Sequence, residues 1–186
     1  MPINRPLKEK RDEKAIVLQF LPDGDPNQNI KEPIAYVVGV DYYTLLLVTI
    51  KPGVPVQPLE ELYIGPGKRP KVKSILKRVS IKDLPLIAKQ NLEIVLKDLI
   101  KKQEKKFVEF FNKAGPYNIK VHTLELLPGI GKTILEYILN ERNKKPFESF
   151  EDIEKRVKGL KNVENIIYER IIRELNQEEN LKLFTI

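Results

Sequence analysis

The chain has 186 residues, with 33 lysines and arginines against 26 acids, a net charge of +7, 14 prolines and no cysteine. Such a length holds one domain or two small ones. The missing cysteines exclude disulfides, thiolate metal sites and cysteine nucleophiles, and no apolar window is long enough to span a membrane.

Residues 1–14 are polar, lack the apolar segment of a secretory signal, and are expected to form a disordered or loosely docked arm in a cytoplasmic protein. Abundant Lys, Glu and Ile with a single Met is a composition common in hyperthermophiles. Five short apolar runs follow at 15–21, 34–40, 44–50, 61–64 and 72–79. Turn signals such as Pro22-Asp23-Gly24-Asp25-Pro26 and Gly65-Pro66-Gly67 separate them, so each run predicts a strand. Five short strands within 15–80 predict a small closed β-barrel of the OB type. The fifth lies in the sharpest charge feature of the chain, Lys68, Arg69, Lys71, Lys73, Lys77 and Arg78, with no acid among them. Charge to hold phosphates, with Tyr42, Tyr43 and Tyr63 to stack bases, is what a single-strand-binding surface needs. The alternative is that the tyrosines fill the core and the lysines keep an edge strand soluble.

Residues 81–118 predict a helical connector, one long helix over 84–114 or two meeting near Lys101. Leu86, Ile87, Ile94, Val95, Leu99 and Ile100 form its apolar stripe, Phe107, Phe110 and Phe111 a denser patch, and Gly115-Pro116 its end. The charge divides unevenly: 1–80 carry 13 basic and 9 acidic residues, 81–118 carry 8 and 5, and 119–186 carry 12 and 12.

The last segment is organised around Leu126-Leu-Pro-Gly-Ile-Gly-Lys-Thr133. A nucleotide-binding P-loop would need glycine at 126, and a dinucleotide fingerprint glycine at 134; Leu126 and Ile134 stand there. What survives is a tight turn between two short helices. The backbone amides around Gly129, Ile130 and Gly131, with Lys132 and Thr133, then face an anion at a helix N-terminus. This pattern resembles the helix-hairpin-helix module, which grips nucleic-acid backbones without reading sequence. A second turn, Lys158-Gly159-Leu160-Lys161, follows a helix capped by Ser149 and precedes a helix over 163–175. Residues 119–186 thus read as a duplicated helix-hairpin-helix domain, in which Lys158, Gly159 and Lys161 either touch a phosphate or serve structure alone. The apolar end, 181–186, is expected to dock.

Catalysis is not expected. The lone His122 has no cysteine or second histidine with which to hold a metal, and no serine has a base at a recognisable spacing. In DNA glycosylases a hairpin of this kind precedes a catalytic lysine in some members and an aspartate further on. Thr133 stands where that lysine would be and cannot form a Schiff base, and Glu151, near the aspartate's place, belongs to a helix cap. No metal and no cofactor is expected.

The runs 122–132 and 145–153, with Tyr63-Ile-Gly-Pro-Gly-Lys68 and Phe107-Val-Glu-Phe-Phe-Asn112, resemble an uncharacterised archaeal family. That family is described as an OB-fold joined to tandem helix-hairpin-helix elements and is predicted to bind RNA or DNA. The resemblance implies an α+β protein with an N-terminal five-stranded OB-like barrel, a helical connector and a C-terminal tandem helix-hairpin-helix domain. It also implies a partner in RNA or DNA, with RNA favoured, free or within a ribosome or other nucleoprotein complex, and no membrane. The rival reading is a protein-interaction module of a ribosome, polymerase or repair complex.

Overall fold

Five strands pair antiparallel into one sheet in the computed structural model, which describes residues 9–186. They are β1 (Lys14–Leu21), β2 (Ile34–Gly39), β3 (Leu45–Ile50), β4 (Glu61–Tyr63) and β5 (Val72–Arg78), in the order β4-β1-β2-β3-β5. The ladder slips between Val17 and Gln19 on β1 and at two places between β3 and β5. Such irregularities bend strands and raise their twist, and the sheet curls into a half-barrel. Ala15, Val17, Val37, Val48, Ile50 and Val72 belong to one buried cluster, and every residue of β2 is buried.

The closed barrel expected from the strand count does not form, because β4 and β5 end the order without pairing. β4 is only three residues long. The link to β5 contains Pro66 and Pro70, which have no N–H to donate to a ladder.

The expected loose arm is also corrected where it can be seen, although residues 1–8 lie outside the described residues. Lys14 already belongs to β1, and the buried Asp12 carboxylate accepts the N–H groups of Asp41 and Tyr42 at 2.8 Å and of Thr44 at 3.2 Å. Three amides compensate one buried charge and fix the β2–β3 turn. Gly39 makes room for it, since a Cβ there would lie 1.9 Å from an Asp12 carboxylate oxygen.

Five helices follow: α1 (Leu86–Lys102), α2 (Glu104–Lys113), α3 (Lys132–Lys144), α4 (Phe150–Arg156) and α5 (Val163–Leu175). The connector is therefore two helices, and its apolar stripe differs from the expected one. Ala88, Leu92, Val95, Leu96 and Leu99 are buried, while Leu86, Ile87 and Ile94 are exposed. The short helix expected before the first turn is only a 3-10 turn, Thr123–Leu126, and α3 runs from Lys132 to Lys144.

By packing, the chain falls into two units, one of residues up to Leu92 with Glu179–Ile186 and one of Glu93–Glu178. In the first, Asn91 donates from its side chain to the Leu18 carbonyl at 2.7 Å. The C-terminal segment docks there, with Phe184 and Thr185 buried and the Arg78 guanidinium on the Ile186 oxygen. In the second, Asn112 and the backbone of Phe147 exchange two hydrogen bonds at 2.7 and 2.9 Å. Arg142 caps the end of α2 through the carbonyls of Phe111 and Ala114. Arg156 does the same for α3 through Glu141 and Lys145.

Candidate nucleic-acid interface

The turn before α3 is built from anchors inward and amides outward. Leu124, Leu127 and Ile130 are buried, and the Ile130 N–H donates to the Leu127 carbonyl at 3.3 Å. Ile130 therefore anchors the turn and offers no amide to a ligand, which corrects the sequence reading of that position. Gly129 adopts φ +79°, a conformation that glycine accepts without strain. Gly131 differs: it has an ordinary extended backbone at φ −96°, and a Cβ there would meet nothing. Only the first glycine is required by backbone angle; the second leaves the helix end uncovered.

Gly129, Gly131, Lys132 and Thr133 are all exposed, and among the described residues their N–H groups take no acceptor within the chain. They are the orphan donors of a helix start and of the turn feeding it. Lys132 is less free than its sequence suggested. Its ammonium donates to the Lys120 carbonyl at 2.8 Å and pairs with Glu125 at 2.9 Å. Glu125 also accepts the His122 N–H at 2.7 Å, and that bond, followed by Lys132, holds its carboxyl below the usual carboxylate range. His122 accepts the Leu124 N–H on Nδ1 at 3.1 Å. Burial first, then Arg142, holds its imidazole below the ordinary histidine range, against a smaller opposing pull from Glu125.

The second turn repeats the backbone of the first. Gly159 has φ +84°, Leu160 is buried, and its N–H donates to the Val157 carbonyl at 3.3 Å. A Cβ on Gly159 would lie 3.8 Å from the Ile134 side chain of α3, so the two turns are neighbours. The helix starts differ, however. At α5 the Val163 N–H is taken by Glu154 at 3.0 Å and the Asn165 N–H by the Asn162 side chain at 3.2 Å. The chain's own oxygens thus occupy that end, while Lys158 and Lys161 stay exposed without an ion-pair partner among the described residues.

Beneath the turns lies a buried ion pair that is absent from the sequence reading. Arg170 and Glu174 of α5 are almost closed to solvent, with Arg170 Nε 2.9 Å from a Glu174 oxygen and Nη1 2.8 Å from the Leu126 carbonyl. The only available signal was their i,i+4 spacing on an otherwise apolar helix face.

In the sheet unit most of the basic run is engaged locally. Lys71 pairs with Glu60 at 2.5 Å and Lys73 with Glu32 at 3.0 Å. Lys77 donates to the Gln28 side chain at 3.1 Å, Arg69 Nε to the Gly65 carbonyl at 2.8 Å, and Arg78 to Ile186. Lys68 is exposed without such a partner among the described residues. The tyrosines divide. Tyr43 is closed to solvent, so no base stacks on it; burial, then Asp12 and Asp41, raise its phenol above the ordinary range. Tyr63 is half-buried and donates to the Pro66 carbonyl at 2.7 Å, and Tyr42 is half-buried.

Sequence reasoning missed one surface beside the first turn. Tyr117 and Ile119 are exposed on a loop where the Asn118 side chain accepts the N–H groups of Lys120 and Val121, both at 2.8 Å. The Lys132–Lys120 bond joins this loop to α3. Its signal was an aromatic and an aliphatic residue flanking a turn-forming asparagine.

Among the described residues no three His, Asp or Glu side chains gather as a metal would require, and no helix is long and apolar enough to cross a membrane. Residues 11–186 match the family described as "Protein of unknown function (DUF655)". An uncharacterised protein of Methanocaldococcus jannaschii is 38% identical over 181 residues, 97% of this chain and 81% of that protein. The crystal structure of an Archaeoglobus fulgidus protein assigned to the same family is 43% identical, with a TM-score of 0.84, covering 94% of this chain and 100% of that one.

Proposed function

The chain belongs to this family of unknown function, and from that premise we propose that it is a non-enzymatic RNA- or DNA-binding protein of the cytoplasm. One observation carries the reading: the exposed, unaccepted N–H groups of Gly129, Gly131, Lys132 and Thr133 at the start of a 13-residue helix. Four donors and the positive helix end suit the oxygens of a backbone phosphate. On this reading the two glycine turns are tandem helix-hairpin-helix elements. The first grips a phosphate through its amides; the second contributes Lys158 and Lys161, because Glu154 already occupies its helix end.

The curled sheet serves as an open OB-like half-barrel. Lys68, Lys71, Lys73, Lys77 and Arg78 contribute to its positive field rather than bind individually, and Tyr42 and Tyr63 are its ring contacts. Tyr117 and Ile119 add apolar surface where bases adjoining the gripped phosphate would lie. RNA is favoured over DNA, alone or within a ribosome or another nucleoprotein complex.

Fluorescence-anisotropy titration of the full chain with labelled RNA and DNA tests the reading. Affinity falls linearly on a log–log salt plot, with a slope of about −0.7 per phosphate contacted for a single strand and about −0.9 for a duplex. Absence of binding to both polymers at low salt contradicts it.

A further inference from the structure

The sheet unit contains a groove of about 350 Å³, walled by Leu46, Ile64 and Ile75, with Arg11, Arg69 and Thr44 bringing polar groups to it. Three observations mark it as a ligand site rather than a packing flaw. The Thr44 hydroxyl oxygen is buried and has no hydrogen-bond partner among the described residues, a condition that folded proteins almost always avoid. Arg69 is pinned through Nε to the Gly65 carbonyl, which fixes the plane of the guanidinium while its two terminal nitrogens take no acceptor among the described residues. Arg11 is exposed and has no ion-pair or hydrogen-bond partner among the described residues. Two acids share the wall, and neither pairs with Arg11 or Arg69: the Asp12 oxygens take the N–H groups of Asp41, Tyr42 and Thr44, and the terminal Ile186 takes the Arg78 guanidinium.

We propose that this groove binds a single nucleotide, its phosphate on Arg11 and Arg69 and its base against Leu46, Ile64 and Ile75. Guanidinium forks match phosphate oxygens in pairs, and apolar walls suit a flat ring. A volume at the lower end of the range for ligand pockets, about 300–1,000 Å³, holds one nucleotide rather than a strand. The same base-plus-phosphate chemistry belongs to a free mononucleotide and to the phosphorylated end of a strand. The site stands on its own geometry and does not depend on the turns before α3 and α5.

The test is an amide-shift and calorimetric titration of the full chain with adenosine 5′-monophosphate, with inorganic phosphate, and with an oligonucleotide carrying or lacking a 5′-phosphate. The mononucleotide saturably shifts Thr44, Leu46, Gly65 and Ile75, and binds at least about tenfold more tightly than inorganic phosphate. Arg11→Gln and Thr44→Val each weaken it by about tenfold. Thr44→Val removes an unsatisfied hydroxyl, so its thermal midpoint does not fall, which separates lost binding from lost folding. Gly131→Leu leaves mononucleotide binding unchanged, so this site and the turn before α3 succeed or fail separately. Displacement of the mononucleotide by the 5′-phosphorylated oligonucleotide alone assigns the site to strand ends; no displacement assigns it to free nucleotides. The proposal is overturned if the mononucleotide causes no saturable shift, if inorganic phosphate binds equally well, marking an adventitious ion only, or if both variants bind as the wild type does.

Discussion

Replacing Arg170 with methionine tests how the turn before α3 is held. The substitution keeps a long apolar side chain in the buried position but removes the guanidinium that contacts Glu174 at 2.9 Å and the Leu126 carbonyl at 2.8 Å. Both members of the ion pair are almost fully buried, so water does not replace what is lost. Breaking a buried pair from one side costs about 3–5 kcal/mol. In a chain of this size each kcal/mol lowers the thermal midpoint by about 2–4 °C, so Arg170→Met lowers it by about 6–20 °C. The double variant Arg170→Met with Glu174→Leu removes both charges and recovers most of that loss, since buried pairs replaced by apolar groups are often neutral or stabilising. Circular-dichroism melts and urea unfolding of the wild type and the three variants measure the cycle. If Arg170→Met loses less than about 1 kcal/mol, or the double variant is no better than the worse single one, the pair does not hold the turn as described.

Gly129→Ala destabilises by about 1–2 kcal/mol because its φ of +79° strains any side chain, whereas Gly131→Ala leaves stability within about 0.5 kcal/mol of wild type; urea midpoints compare the two. Gly39→Ala lowers the thermal midpoint more than either, since its Cβ would displace the Asp12 carboxylate from three amides. The folded-state pKa of His122 lies below its ordinary 6.5, so its contribution to stability is fully present above pH 6.5 and is lost as pH falls through the folded value. A His122→Asn variant, which keeps a capping acceptor, shows a smaller drop in urea midpoint between pH 7 and pH 5 than the wild type.

Much of the fold was legible because its signals are local. Turn residues bracket each β-run, and the five strands fall within a residue of where they were read. Barrel closure was not legible, since it depends on whether two distant strands meet; β4 proved too short and the link after it too rich in proline. The fate of charges was equally hidden. Lys71 and Lys73 looked like a binding face until folding brought Glu60 and Glu32 to them, and Tyr43 looked available until Asp12 folded the turn around it. At the turn before α3 the motif was readable, but the different duties of its two glycines follow only from backbone angles.

The central claim is that unaccepted amides before α3 bind a nucleic-acid phosphate. It is tested most directly by following the ¹⁵N–¹H signals of Gly129, Gly131, Lys132 and Thr133 while a short RNA or DNA oligomer is added to the full chain. Downfield amide-proton shifts at these four positions, saturating with the oligomer and reversed by salt, are the predicted result. Binding that leaves all four signals unmoved contradicts the claim.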